Sequence, residues 1–386
     1  MRRLFALVSA VVVVDTMLYA ALVPLLPHFE HRYGLTKGGV GALAAAYAIG
    51  TFAGGLPAGM VAARFGARRA VLCGLALMSL ASIGFALADS FGTLFAARLV
   101  QGFGSSLSWA GALAWLTLST SRERRGTVMG SAMAAAIFGA LLGPVIGAVA
   151  SVVGVRGTFA ALAGLGAVLA VWALRIAPTP VESQPLATVF VAVRDPEFLT
   201  ALWLMTIPAL LFGALNVLVP LALSRHGFGA VALGAVWVSA AAVEASINPF
   251  IGRVTDRRGF AFPVRIALVG SFVVSLALAA TEWPPVLVPL VFAAGLSFGG
   301  FYAPSLTLLS NSAERVGMAQ GITFGLMNSS WALGNAIGPA AGGALAQATR
   351  DAVPFVVGAA ICMLTFLGLR RLAGPGAAVV VDRLPG

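Results

Sequence analysis

Three ionisable side chains interrupt long apolar stretches of this 386-residue sequence, and each can carry or attract charge. Asp15 lies in VVVVDTMLY, Arg98 in FAARLVQGFG and Glu244 in AAVEASINPF. A charge at the centre of a bilayer costs roughly 3 to 10 kcal/mol, so residues of this kind are candidates for function. Their chemistry is that of proton coupling and of attraction for a charged solute.

Asp15 lies near the middle of the first apolar stretch, and Tyr19 follows one helical turn later on the same face. A carboxyl group in a low-dielectric cavity can exchange protons near neutral pH, and it can also attract a cationic solute. We therefore predict a coupling or binding role for Asp15. The alternative is a buried acid that pairs with a neighbouring helix for structure only.

Arg98 begins a polar stripe. With helical spacings of i, i+3, i+7 and i+10, one helix face carries Arg98, Gln101, Ser105 and Ser108. A polar face in a membrane must look inward, so this helix is predicted to line a cavity. The alternative for Arg98 is a structural arginine that bonds helix ends within the first half of the chain.

Glu244 is followed one turn later by Asn248 and then by Pro249. Arg253 stands about 13 Å further on at 1.5 Å per residue, so Glu244 is predicted to lie between the membrane midplane and the loop that Arg253 begins. A second protonation site, a gate acid and a structural partner of the first half are all compatible with this position.

Other aromatic and amide side chains occur at helical spacing on further apolar segments. Each is more often a core residue than a ligand contact, but aromatic and amide groups around an apolar pocket suit an amphipathic organic solute better than a sugar. We predict that the substrate cavity contains Asp15, Tyr19, Tyr47, Gln101, Ser105, Asn216, Phe298, Tyr302, Asn328, Trp331 and Asn335.

The elements that position these residues must be membrane helices. The chain is 60% hydrophobic and only 10% charged, and apolar runs of about 20 residues, the length that crosses a bilayer, recur throughout. The runs do not alternate, which excludes a β-barrel. We predict an all-α membrane protein with twelve spans, at 4–27, 36–62, 70–88, 91–118, 127–150, 157–174, 198–223, 229–251, 262–280, 285–310, 318–346 and 352–369.

Charge predicts the orientation of the spans. Eighteen basic residues fall on one set of loops and ends and five on the other, so the positive-inside rule places the first set, with both termini, in the cytoplasm of a cell (inner) membrane. The +11 net charge sits in these short loops and does not indicate nucleic-acid binding. We expect an N-terminal bundle at 1–176, a proline-rich cytoplasmic linker at 177–197, and a C-terminal bundle with a short cytoplasmic tail at 198–386.

The two halves of the sequence repeat each other. Gly-x3-Gly-Pro-x2-Gly occurs at Gly139–Gly147 and again at Gly334–Gly342, and two loop segments also match in order. Glycines let helices approach closely, and proline permits bending. We interpret the motif as a packing and flexing surface between the halves, formed by Gly139, Gly143, Pro144, Gly147, Gly338 and Pro339.

Four motifs resemble those of the major facilitator superfamily, and the resemblance covers nearly the whole chain. They are the loop motif Gly59-x4-Arg64-x-Gly66-x-Arg68-Arg69, the fourth-helix motif Arg98-x2-Gln101-Gly102-x-Gly104, the fifth-helix glycine motif, and Pro24-x2-Pro27. The last two are similar to the drug:proton antiporter branch, and the segment around Asp15 is similar to the first helix of the vesicular amine transporters. The resemblance implies two pseudo-symmetric six-helix bundles and alternating access.

The resemblance also implies roles for single residues. In the amine transporters the acid that matches Asp15 contacts the amine, and Arg98 matches an arginine linked to proton coupling. Asn216 and Asn328 replace the acids of their seventh and eleventh helices, which weakens the case for a strict amine substrate. Ala63 replaces the acid of the first loop motif, so Asp256 takes more of the latch role. The implied gating and latch residues are Gly59, Arg64, Gly66, Arg68, Gly252, Asp256 and Arg257.

These observations predict a transporter rather than an enzyme, with no cofactor or metal and no Walker loop or catalytic triad. We predict a proton-coupled exporter of small amphipathic organic compounds, cations among them, that works as a monomer in the lipid bilayer. Asp15, Arg98 and Glu244 are the predicted proton-coupling residues. The alternatives are a metabolite importer or uniporter of the same fold, and a non-transporting membrane sensor or scaffold.

Overall fold

The computed structural model describes residues 2–120, 125–178, 192, 194–318 and 320–372 of the chain, and within those ranges its regular structure is entirely helical. A short 3-10 turn, Val23–Leu25, separates the first two α-helices. In chain order, the α-helices are α1 (Arg2–Ala20), α2 (Leu26–Tyr33), α3 (Lys37–Phe65), α4 (Ala67–Ala86), α5 (Phe91–Leu118), α6 (Arg125–Val153), α7 (Val155–Leu174), α8 (Pro196–Arg225), α9 (Ala230–Arg258), α10 (Ala261–Ala280), α11 (Pro284–Gly299), α12 (Tyr302–Arg315), α13 (Gln320–Ala348) and α14 (Ala352–Leu372).

Two of the predicted spans are interrupted near proline residues. The first span breaks between α1 and α2, where Pro24 and Pro27 lack the N–H groups that would continue the helical bonding pattern. The tenth span breaks between α11 and α12, and Pro304 likewise cannot donate to the carbonyl of Gly300 four residues earlier. Both breaks bring irregular backbone into the interior of the bundle.

With these two pairs each counted once, the described helices make twelve membrane-length segments, which confirms the predicted fold class. Ten of them are also apolar enough to cross a membrane. The other two, α5 and α13, carry the polar stripes that contain Arg98 and Asn328. Some helices continue past their predicted ends; α9 extends to Arg258 instead of ending near 251, because a helix can continue into water with a polar surface.

The repeat is visible in the turns that follow the second and eighth spans. Gly66 ends α3 with a φ of 93°, and Gly259 ends α9 with a φ of 73°. Both values favour glycine, because a side chain is strained at positive φ. We call α1–α7 the first half of the chain and α8–α14 the second half. Most of the predicted linker at 177–197 lies outside the described residues.

The halves meet mainly through two pairs of helices, α3 with α13 and α6 with α9. We call the end of the bundle with the Gly66 and Gly259 turns the motif end, and the opposite end, which carries Lys37 and Asp351, the far end. Connectivity places every second loop at the far end, because each span crosses the bundle once.

The halves are held together at the far end. Lys37 at the start of α3 forms an ion pair with Asp351, and the amide of Gly38 donates to Oε1 of Gln347 at 3.0 Å. Arg225 also bonds Asp351, at 3.0 Å, and therefore anchors this acid within the second half. The far end of the interface is closed by these contacts.

The closest backbone approaches between the halves that the structure describes lie towards the far end. There, a Cβ on Gly41 would overlap the carbonyl of Pro339, and a Cβ on Gly234 would meet the carbonyl of Pro144 at 2.9 Å. Towards the motif end of α3, a Cβ on Gly55 would meet the hydroxyl of Ser329 on α13 at 2.9 Å. The backbone contact that the described residues show between the halves is therefore concentrated at the far end.

Candidate functional site

Asp15 is buried in the middle of the bundle, with a side chain only 3% exposed, and both of its carboxylate oxygens accept hydrogen bonds. The hydroxyl of Tyr47 donates to Oδ1 at 3.0 Å, and the indole N–H of Trp109 donates to Oδ2 at 2.6 Å. Ser105 lies within reach of the same carboxyl group. These donors come from α3 and α5, so the acid on α1 holds three helices of the first half together.

The two donors differ in what they permit. An indole N–H can only donate a hydrogen bond, whereas a tyrosine hydroxyl can donate or accept. A proton on Oδ1 of Asp15 can be accommodated if the Tyr47 hydroxyl turns and becomes the acceptor. A proton on Oδ2 would oppose the N–H of Trp109. The geometry therefore favours proton exchange on the Tyr47 side.

Sequence reasoning missed Trp109, although a signal for it was present. Trp109 stands four residues after Ser105, so it extends the face that carries Arg98, Gln101 and Ser105 by one more turn. An indole N–H buried in an apolar environment needs an acceptor, and Asp15 provides one. Trp237 was missed in the same way; its N–H donates to Oδ1 of Asn216 at 2.8 Å.

Arg98 bonds the end of α1. Its guanidinium donates to the carbonyls of Leu18 and Tyr19, at 3.0 and 3.3 Å, and to Oε1 of Gln101 at 3.1 Å. A cation is favourable at a helix C-terminus because the helix dipole is negative there. This bonding is of the kind expected for a structural arginine, which was the alternative role of Arg98. Within the described residues, Arg98 forms no ion pair with Asp15.

Arg98 and Asp15 are nevertheless linked through one ring. The guanidinium of Arg98 lies over the ring of Tyr47, 4.7 Å from its centroid, and the hydroxyl of that ring bonds Asp15. Gln101 extends the network by donating to Ser82 at 3.0 Å. A change in the hydrogen bond of the Tyr47 hydroxyl would therefore also affect Arg98 and its contacts with the end of α1.

Tyr19 connects this network to the second half. Its hydroxyl donates to Oδ1 of Asn335 on α13 at 2.5 Å. Its ring lies 5.4 Å from the ring of Tyr47 and 5.0 Å from that of Trp331, measured between centroids. A small cavity of about 20 Å³ lies on the far-end side of Tyr19, and Tyr19, Arg98, Asn216 and Asn335 help to line it.

Glu244 lies at the middle of α9 and packs against α11. A Cβ on Gly299 would overlap its carboxyl group, and Gly295 one turn earlier also contacts this part of α9. Tyr302, just after the helix break, is close enough to Glu244 to interact with it electrostatically, and its hydroxyl lies within hydrogen-bonding reach of the side chain of Trp331. Glu244, Tyr302 and Trp331 are all half-buried.

The structure does not bring every predicted cavity residue into this group. Phe298 is only 1% exposed and packs on Phe212, with ring centroids 5.3 Å apart. Asn328 is half-buried on α13, one turn from Trp331 towards the motif end.

The implied latch residues make no described contact with the other half. Arg68 donates to the carbonyl of Ile176 at 3.2 Å, which lies in the first half, and Arg64 lies over the ring of its neighbour Phe65. Arg257 is exposed, and the side chain of Asp256 lies outside the described residues.

The glycine motifs pack within each half, which corrects the interpretation that they form a surface between the halves. Each repeat uses its three glycines to approach one helix of its own half, because a missing side chain lets two backbones come close. Only the carbonyls of Pro144 and Pro339 reach across, to Gly234 and Gly41. The helix partners are α1 for Gly139, Gly143 and Gly147, and α8 for Gly334, Gly338 and Gly342.

Comparison with known proteins identifies the family to which this architecture corresponds. The model of the family described as Major Facilitator Superfamily matches residues 8–329. Among solved structures, a bacterial homologue of the human lysosomal transporter Spinster, in an inward-facing and unoccupied conformation, superposes with a TM-score of 0.77 at 14% identity and covers 95% of this chain and 96% of that one. At this identity the likeness concerns the fold alone.

Relatives with higher identity match over shorter stretches. "Probable vesicular acetylcholine transporter-B" of Danio rerio is 30% identical over 140 residues, which are 34% of this chain and 28% of that protein. "Probable 4-methylmuconolactone transporter" of Cupriavidus pinatubonensis is 31% identical over 106 residues, which are 28% of this chain and 25% of that protein. The matched stretches thus span less than a third of the length of these curated relatives.

Proposed function

The chain belongs to the Major Facilitator Superfamily and is a multi-pass secondary transporter, and we propose that it exports small amphipathic organic compounds, cations among them, in exchange for protons. The observation that carries this proposal is the Asp15 site. A carboxyl group lies at the middle of the bundle, and its hydrogen-bond partner Tyr47 touches both Arg98 and Tyr19. The acid is therefore joined to the contact between the halves.

The coupling step follows from the hydrogen-bond chemistry of this site. When Asp15 takes a proton on Oδ1, the Tyr47 hydroxyl changes from donor to acceptor, and its own hydrogen needs a new partner. The Tyr47 ring lies against Tyr19, whose hydroxyl holds Asn335 of the other half. Protonation thus alters the contacts that keep the halves in one arrangement, as alternating access requires.

Charge and geometry together support export. The motif end carries most of the basic residues, so we assign it to the cytoplasmic side of a cell membrane. The closest described contacts between the halves, including the ion pair of Lys37 with Asp351, lie at the far end. In this arrangement substrate enters from the cytoplasm, its binding releases the proton of Asp15, and a proton from outside resets the carrier.

The half-buried aromatic side chains around the site favour an amphipathic substrate. Tyr19, Trp109, Tyr302 and Trp331 present rings to the region between the halves, and few hydroxyl partners for a sugar are present there. One relative is named for acetylcholine and another for 4-methylmuconolactone. Both names are those of small organic solutes, in agreement with this substrate class.

The test is proton-driven uptake into inverted membrane vesicles, with ethidium as the probe. We expect Asp15→Asn to lose at least about tenfold of the pH-gradient-driven uptake, since an amide cannot carry the proton. The matched control is Asp89→Asn, which removes an exposed acid at the far end and is expected to transport normally. Undiminished gradient-driven uptake by Asp15→Asn would refute the assignment.

The same vesicles distinguish the alternative of a uniporter or importer. Its support in the structure is the bonding of Arg98, which caps the end of α1 and leaves Asp15 without an ion pair among the described residues. On that account the acid serves structure only. Uptake that continues unchanged after the proton gradient is collapsed would favour the uniporter.

A further inference from the structure

The two acids at the middle of the bundle, Asp15 and Glu244, differ in whether their carboxyl groups have hydrogen-bond partners. Both oxygens of Asp15 accept hydrogen bonds from the first half. In the described part of the chain, by contrast, the carboxyl group of Glu244 has no hydrogen bond and no ion pair. A half-buried charge without a partner is costly, and a positively charged ligand would offset that cost.

The backbone next to Glu244 also favours positive charge. The carboxyl group lies where a side chain of Gly299 would be, at the C-terminal end of α11. The carbonyl of Gly300 lacks the usual helical donor because Pro304 has no N–H. The partial charges of the α11 C-terminus and the α12 N-terminus offset each other at the break. The unpaired carbonyl and the acid act on a cation in the same direction.

Aromatic rings form another part of the surroundings of Glu244. Tyr302 interacts electrostatically with Glu244 and lies within hydrogen-bonding reach of Trp331. Trp331 in turn contacts Tyr19, with ring centroids 5.0 Å apart. Tyrosine and tryptophan faces attract organic cations. The positive charge nearest to this aromatic group, on Arg98, is already held by the end of α1 and by Tyr47.

We propose that Glu244, Tyr302 and Trp331 form the subsite that receives the positively charged group of an organic cation. This subsite rests on the proposed transport function and deepens it, because it gives the two acids separate tasks. Asp15 exchanges the proton, and Glu244 selects cations over neutral compounds of the same shape. The absence of a side chain at Gly299 leaves room for the carboxyl group.

Binding to the purified full-length protein tests the subsite with two probes. Tetraphenylphosphonium is a permanent cation, and triphenylphosphine oxide is a neutral compound with similar aryl groups; tryptophan fluorescence reports both. We expect the unaltered protein to bind the cation at least about tenfold more tightly than the neutral probe. In Glu244→Gln this preference should fall to about twofold or less, while affinity for the neutral probe stays the same.

Two further variants separate this proposal from the assignment of Asp15. Asp15→Asn should keep the preference for the cation, although it loses proton-driven uptake. Gly299→Ala keeps Glu244 but places a methyl group where its carboxyl group lies, and should reduce the preference. A preference that persists in Glu244→Gln, or that is absent from the unaltered protein, would overturn the subsite. Persistence in Glu244→Gln would leave the proton-coupled function standing.

Discussion

The hydroxyl of Tyr19 donates to Oδ1 of Asn335 at 2.5 Å and thereby joins the two halves of the transporter one helical turn from Asp15. The ring of Tyr19 lies between Tyr47, which bonds Asp15, and Trp331, which meets Tyr302 beside Glu244. The two acids are therefore connected across the interface by a continuous row of aromatic contacts. A row of this kind can transmit a change at one acid to the other half.

Tyr19→Phe removes the hydroxyl and keeps the ring. One hydrogen bond contributes about 1 kcal/mol, so the halves should separate more readily and transport should depend less on protonation. We expect a lower ratio of uptake with a pH gradient to uptake without one. The control is Tyr33→Phe, which removes a hydroxyl that bonds the Ala88 carbonyl within the first half; an equal loss of coupling in both variants would contradict the role of Tyr19.

Trp109→Phe tests the second donor of Asp15. Without the indole N–H, Oδ2 loses the donor that bonds it at 2.6 Å, and the loss of a buried hydrogen bond costs about 1 to 3 kcal/mol. We expect a melting temperature lower by a few degrees and slower transport. Trp203→Phe provides the comparison, since it removes an exposed indole bond to Thr365. If both variants melt at the same temperature, Trp109 does not stabilise the carboxylate.

Asp351→Asn tests the closure of the far end. Asp351 binds Lys37 of the first half and Arg225 of the second half, whereas Glu282 binds only Arg225, within the second half. An ion pair of this exposure is worth up to about 1 kcal/mol, so the population open at the far end should rise up to about fivefold.

Double electron–electron resonance measures the population that is open at the far end. The spin labels are placed at Ser90 and Trp283, which are exposed far-end residues of opposite halves, in a cysteine-free background. We expect a longer-distance component to grow in Asp351→Asn and to stay constant in Glu282→Gln. Growth of that component in both variants would indicate that the second-half pairs, rather than the bond to Lys37, determine closure.

Gly41→Ala tests the close approach of α3 to α13. The added Cβ would overlap the carbonyl of Pro339, so closure of the far end should be hindered and transport lost. Gly164→Ala makes the same substitution on α7, at an exposed position where no described atom is within 4 Å, and should transport normally. Normal transport by Gly41→Ala would show that the interface can widen at no cost.

Much of the fold could be predicted from the sequence. The length of the apolar runs predicts membrane helices, and the spacing of glycine and proline predicts the repeat. Asp15, Arg98 and the stripe on α5 also followed from the cost of polar groups in lipid. The sequence did not predict which helices the glycines approach. A small residue indicates a close neighbour, but spacing alone does not say whether α1 or the other half supplies it.

Side-chain partners were harder to predict than helix faces. Helical spacing correctly aligned Gln101 and Ser105 on the face of Arg98, but it could not state that Arg98 bonds the end of α1. That contact depends on where the first span breaks. The packing of Phe298 on Phe212 could not be predicted either, because helical spacing does not identify the neighbouring helix.

The central claim is that the proton on Asp15 controls the relative position of the halves, and distance measurements in acid and in alkaline solution test it without any substrate. Spin labels at Ser90 and Trp283 report the far end of the interface. We predict that the distance distribution changes with pH in the unaltered protein and is independent of pH in Asp15→Asn. A distribution that still shifts with pH in Asp15→Asn would contradict the claim.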